Sequence, residues 1–107
     1  MSKIIRFKDW DCTVLKSTYR QNGAIALQLV AANTDHNKSE DTFAGEAIAT
    51  ATVCLPEQPL SEGETLIAGS SANEGMLEAL VNAGIVEDLG VTVPYGYLIA
   101  NLVKVLL

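Results

Sequence analysis

SSANEGMLEALVNAGIVEDL, residues 70 to 89, decides the fold, because it marks both ends of a helix and the face that helix buries. Asn73 is a favourable N-cap, Glu74 places an anion in the first turn, and Gly84 can take the left-handed conformation that ends the helix. The expected helix therefore runs about three turns. Met76, Leu77, Leu80 and Val81 form one apolar stripe, and Ile85, just past Gly84, can fold back onto it. Such a stripe needs a sheet to pack on. The polar members, Glu74, Glu78 and Asn82, are those of any solvated helix face and supply no chemistry.

Working outward, the residues before the helix read as strands. Ile4 to Phe7 and Trp10 to Tyr19 are joined by the charged corner Lys8-Asp9. Gln21-Asn22-Gly23 carries an Asn-Gly pair, a strong hairpin signal, and turns the chain into Ala24 to Ala31. There Ile25, Leu27 and Leu29 alternate with Ala26, Gln28 and Val30, the period of a strand buried on one side, so these two strands should pair antiparallel. Asn33 to Gly45, NTDHNKSEDTFAG, is polar and aperiodic and reads as a long mobile loop with Phe43 as its apolar anchor. Ala47 to Leu55 is a fourth strand that stops at Pro56. The connection PEQPLSEGE leads to a short strand at Thr65 to Ala68.

After the helix come Val91 to Val93, a turn at Pro94-Tyr95-Gly96 and a closing strand from Tyr97 to Leu106. Strands before and after a single helix argue for one α+β domain over residues 1–107, a curved, mainly antiparallel sheet of about five to seven strands with the helix packed on it. A chain of 107 residues, 49% of them apolar, suffices for one core. No apolar run approaches the roughly 20 residues of a membrane helix, and MSKIIRFKDWD does not resemble a secretory leader, so a cytoplasmic location without membrane association is expected. Cys12 and Cys54 lie in strand-like runs without CxxC spacing and read as buried free thiols.

Charge is unevenly spread. Residues 1–20 carry five basic side chains against two acidic ones, whereas residues 21–107 carry two lysines against eleven carboxylates, within a net charge of −6. An acidic body disfavours general nucleic-acid binding and favours a basic protein partner, although Lys3, Arg6 and Lys8 form a local basic patch. The one histidine, His36, has carboxylates on both sides but lacks the ligand order of a calcium loop, so no metal and no cofactor is expected. Ser70 and Ser71 lack a base and read as turn residues; the glycines do not form a phosphate cradle. The pairs Glu62 with Glu64 and Glu87 with Asp88 need a cleft before they can do acid–base work, and no catalytic residue is assigned. Trp10 and Tyr95, beside polar turn residues, are candidate interface anchors together with Phe43.

The segments FKDWDC, AIALQLV, ATATVCLPEQPL, SANEGMLEALVNAGIVEDLG and TVPYGY together resemble a family of small uncharacterised bacterial and mobile-element proteins, a domain of unknown function. The likeness covers most of the chain and is most specific at NEGMLEAL and TVPYGY; the loop at Asn33 to Gly45 is longer here than in the family. The resemblance implies a compact accessory protein and transfers no catalytic residue. The functional expectation is a non-enzymatic interaction module of a phage or other mobile element, possessing the character of an inhibitor of a host defence complex such as an anti-CRISPR protein. Its carboxylates Glu57, Glu62, Glu64, Glu87 and Asp88 would meet a basic channel that normally holds nucleic acid. The alternative is a small-molecule binder for a nucleotide or metabolite, and the apolar closing strand leaves room for a homodimer.

Overall fold

The computed structural model describes residues 4–107. β1 (Ile4–Phe7) and β2 (Trp10–Thr18) form an antiparallel hairpin around Lys8-Asp9, with Ile5 and Phe7 turned inward and Ile4 and Arg6 outward. β3 (Ile25–Ala31) pairs with β2 from Thr18 opposite Ile25 to Cys12 opposite Ala31. The Asn-Gly turn closes this pair as expected, with the Asn22 side chain accepting from the Ala24 amide at 3.0 Å. β4 (Ala47–Thr50) completes a four-stranded sheet in the order β1-β2-β3-β4.

The second sheet contains β5 (Glu64–Ile67), β6 (Val86–Tyr95) and β7 (Leu98–Val105) in the order β5-β7-β6, all antiparallel. Residues 51–53 join the two sheets. The Ala51 amide donates to Leu27 at 2.9 Å, the Val53 amide to Leu66 at 3.0 Å, and the Ala68 amide to the Ala51 carbonyl at 2.9 Å. Two buried threonines strengthen the seam: Thr52 Oγ1 accepts from the Leu27 amide at 3.1 Å, and the Thr65 hydroxyl donates to the Ile25 carbonyl. The seven strands thus form two antiparallel sheets, of four and three strands, linked at this seam instead of the single curved sheet expected.

The helix, α2 (Met76–Asn82), packs against β1 and β6, an edge strand of each sheet. Met76 and Leu80 are fully buried and meet Ile5, Phe7, Leu27, Leu29, Val103 and Val105 in the core. Removing the Leu80 side chain to Ala would leave a cavity costing about 3 kcal/mol. The C-terminal end follows the sequence expectation. With Gly84 at φ 73°, its amide donates to Val81 at 3.0 Å and the Ile85 amide to Leu80 at 2.9 Å, and Ile85 is buried. The N-terminal end does not. The helix has seven residues and its N-cap is Gly75; Asn73 sits in a preceding 3-10 turn, Ser71–Asn73, with its side chain buried and donating to Thr50 O at 2.9 Å. Asn73 ties the turn to β4's end instead of capping α2.

The segment from Asn33 to Gly45 also differs from its reading as a loop. Thr34 caps a short helix, α1 (Asp35–Ser39), by accepting from the Asn37 amide at 3.2 Å. Asn37 is fully buried against the β2 end: its Oδ1 accepts from the Asp11 amide at 2.9 Å, and its Nδ2 donates to Asp11 O at 2.7 Å and to Ala32 O at 2.9 Å. β6 is longer than expected, because a bulge between Asp88 and Val91 absorbs Gly90 and lets Val86–Tyr95 remain one strand, while β7 is trimmed by one residue at each end of the expected Tyr97 to Leu106. No helix among the described residues is long and apolar enough to cross a membrane.

Candidate functional site: an acidic cleft beside the sheet seam

The β2–β3 turn and the connection between β4 and β5 face one another across a cleft of about 480 Å³. Asn22, Gly23, Ala24 and Ile25 form one wall, and the other comes from Pro56 and from residues 58–64. Pro56 and Pro59 of that connection each have φ fixed by the ring. Ile25, Pro56 and Leu60 supply apolar surface, while Glu62 and Glu64 supply charge, and among the described residues no Lys or Arg lines the cleft. Glu64 is held in place because one of its carboxylate oxygens accepts from the Ser61 amide at 2.8 Å. An apolar surface beside two carboxylates suits a cationic group carried on an aliphatic stem, such as a lysine or arginine side chain. Phosphate is repelled by the same charges.

The remaining sequence-derived residues fall elsewhere. Glu57 is exposed on the same connection, outside the lining of the cleft. Glu87 lies on β6 opposite Lys104, and Glu64 lies opposite the same lysine from β5, so the three residues share one register position across the central strand β7. Asp88 is occupied structurally, accepting from the Gly90 amide at 2.9 Å within the bulge. Trp10 is half-buried, packs on the core and donates from Nε1 to Thr42 Oγ1 at 3.2 Å; Phe43, next in sequence, is exposed. Tyr95 is also half-buried, and its hydroxyl accepts from the Gly69 amide at 3.1 Å. The structure brings Glu62 and Glu64 together with Asn22 and Ile25, and it keeps Trp10, Phe43 and Tyr95 away from them.

Two of the N-terminal cations, Arg6 and Lys8, are already engaged. Arg6 Nε pairs with Asp11 Oδ1 at 2.7 Å and Lys8 Nζ donates to Ala72 O at 3.0 Å, while Lys3 lies outside the described residues. Asp11 also accepts from the Thr34 hydroxyl at 2.9 Å. The hydrogen bond from Arg6 is the main cause holding the Asp11 carboxyl below its ordinary value of 3.8, against a smaller upward push from burial. His36 donates from Nε2 to the Asp9 carbonyl at 2.7 Å, which fastens α1 to the β1–β2 corner. Among the described residues no group of three or more His, Cys, Asp or Glu side chains is placed to hold a metal ion. Both cysteines are free, but only Cys12 is buried. Burial, helped by the Asp11 charge, pushes the Cys12 thiol up to about 11. Cys54 is partly exposed and its thiol donates to Asn22 Oδ1 at 3.5 Å, at the edge of the β2–β3 turn.

The cleft was hidden in the sequence because its walls are distant in the chain and meet only through the pairing of 51–53 with β3 and β5. Its available signal was the two-proline connection rich in carboxylates. Comparison of the chain with protein-family models, curated proteins and solved structures found no match.

Proposed function

We propose that this protein is a non-enzymatic interaction module whose acidic cleft receives a basic side chain of a partner protein. The observation that carries this reading is the placement of Glu62 and Glu64 beside Ile25 and Leu60 in a cleft that, among the described residues, no Lys or Arg lines. The charge of the chain supports it at longer range: eleven carboxylates against two lysines over residues 21–107 steer a basic surface toward this protein and weaken with salt. The specific form we favour is a cytoplasmic accessory protein of a phage or other mobile element. It would occupy the basic channel of a host defence complex, a CRISPR nuclease for example, with Glu57, Glu62, Glu64 and Glu87 standing where nucleic acid phosphates would lie.

The test is affinity capture of the tagged chain from its host at low and high salt, beside the E62Q/E64Q double variant. A stoichiometric basic protein, lost at high salt and lost with the double variant, is the expected result. Equal capture by both chains removes the cleft from the account, and unchanged plasmid interference by every defence system of the host refutes the inhibitor form. A second reading rests on the cleft volume, about 480 Å³, which lies within the range of small-ligand sites. Because Glu62 and Glu64 repel phosphate, that ligand would be an amine-bearing metabolite and not a nucleotide. A thermal shift with spermidine and none with ATP would favour it.

A further inference from the structure

Asn22, in the turn that closes β2 onto β3, is the only asparagine of the chain followed by glycine. Both residues are exposed, and outside its chain neighbours nothing lies within 4 Å of the place a Cβ would take on Gly23, whose φ is +72°. No side chain therefore crowds the Gly23 nitrogen. The hydrogen bonds of the Asn22 side chain all fall on one atom. Oδ1 accepts from the Ala24 amide at 3.0 Å and from the Cys54 thiol at 3.5 Å, and because a backbone N–H needs an acceptor, the oxygen end of the amide is fixed by these partners. Among the described residues Nδ2 has no hydrogen-bond partner.

This arrangement prepares the side-chain amide for attack. Two donors on Oδ1 draw electron density from Cγ and stabilise the negative charge that Oδ1 gains when a nucleophile adds there. The nitrogen that must leave is tied to nothing. The nucleophile is the next backbone nitrogen, which the chain itself holds close, so the encounter is intramolecular. Its brake is the bond from the Gly23 amide to Tyr19 O at 2.9 Å, which must open before the nitrogen can turn onto Cγ. Opening one exposed turn bond of this kind slows the step about fivefold.

We infer that Asn22-Gly23 is a self-modifying site that gives the cleft a third carboxylate. The Gly23 nitrogen, its proton passed to hydroxide, adds to Asn22 Cγ. The Cγ–Nδ2 bond then breaks and Nδ2 leaves as ammonia, taking a proton from water, so that a five-membered imide remains. Water opens the imide at one carbonyl or the other: attack at Cγ gives aspartate, and attack at the Asn22 backbone carbonyl carbon gives isoaspartate. Either product carries one new negative charge.

Asn22 lines the cleft together with Glu62 and Glu64, so the effect of this charge on binding rests on the reading of the cleft as a receptor for a basic side chain. The aspartate product keeps the turn, because its carboxylate accepts from the Ala24 amide as the amide oxygen does, and more strongly as an anion. One further unit charge about 8 Å from a bound cation tightens binding about twofold in water.

Incubation of the full chain at 37 °C, at pH 7.4 and pH 9, with sampling over four weeks, tests the modification. Cleavage after Arg20 and Lys38 releases one segment that also holds Asn33 and Asn37 as internal references. The expected result is a gain of one mass unit located at Asn22 by fragmentation, faster at pH 9 and absent in N22Q. It should run roughly tenfold or more ahead of Asn33, whose neighbour Thr34 is β-branched, and of Asn37, which is fully buried. No gain at Asn22, or equal gains at all three, overturns the proposal. The converted chain, separated by anion exchange, and N22D should each bind a nine-residue polylysine peptide about twofold tighter than the parent. If the parent binds through Glu62 and Glu64 and the converted chain binds no tighter, the effect on binding is overturned while the cleft stands. If the parent binds E62Q/E64Q-independently, the reading of the cleft fails and the effect on binding with it, and the mass gain alone decides the modification.

Discussion

Asn37→Ala gives the sharpest energetic forecast, because every polar atom of that side chain has a named partner and the residue is fully buried. Truncation removes the bond from Nδ2 to Asp11 O, but that carbonyl keeps the Ala32 amide at 2.9 Å. It likewise removes the bond to Ala32 O, which keeps the Thr34 amide at 3.2 Å. Each of these losses costs about 1 kcal/mol net. The Asp11 amide is different. Its partner is Asn37 Oδ1, and an orphaned donor there adds about 1–3 kcal/mol. The sum is about 3–5 kcal/mol, or a fall in Tm of roughly 12 °C or more for a domain of this size. Urea unfolding followed by tryptophan fluorescence measures it, since Trp10 sits next to Asp11 in β2. Hydrogen exchange should quicken at residues 33–45 first, where α1 loses its anchor. A loss below about 0.5 kcal/mol would refute the view that Asn37 docks this segment.

The other expectations concern thiols, acid and close packing. In the native protein at pH 8, Ellman's reagent should titrate Cys54 and spare Cys12, which the shift to about 11 keeps protonated, and denaturant should release both; a fast second thiol in the folded chain would contradict this. The lowered carboxyl of Asp11 stabilises the fold above the unfolded-state value and loses that contribution as pH falls through the folded value. The stability gap between wild type and D11N should therefore be widest above pH 5 and close toward pH 2, and a gap independent of pH would disprove it. G69A should cost about 2 kcal/mol or more by forcing the Ile99 backbone away, as thermal unfolding would register; a neutral substitution would show that the β6–β7 hairpin is free to move.

Much of the fold was legible because local signals agreed with the final pairing. The Asn22-Gly23 turn, the alternation through Ile25, Leu27 and Leu29, and the Gly84-Ile85 corner all need only neighbouring residues, and all stand in the structure as read. The misread positions are two asparagines and a charged pair. Asn73 and Asn37 look like cap and loop residues in sequence, yet both are buried because their partners come from β4's end and from β2. Glu87-Asp88 stand before the extended piece expected from Val91, whereas the bulge lets one strand run from Val86 to Tyr95 through them. The candidate cleft depends on residues 51–53 joining β3 to β5, which is not encoded locally.

Amide chemical-shift mapping during titration with a nine-residue polylysine peptide tests the cleft most directly. The account predicts saturable shifts centred on residues 22–25 and 58–64, abolished in E62Q/E64Q and weakened by salt. Shifts spread evenly over the acidic surface, or unchanged in the double variant, would contradict it.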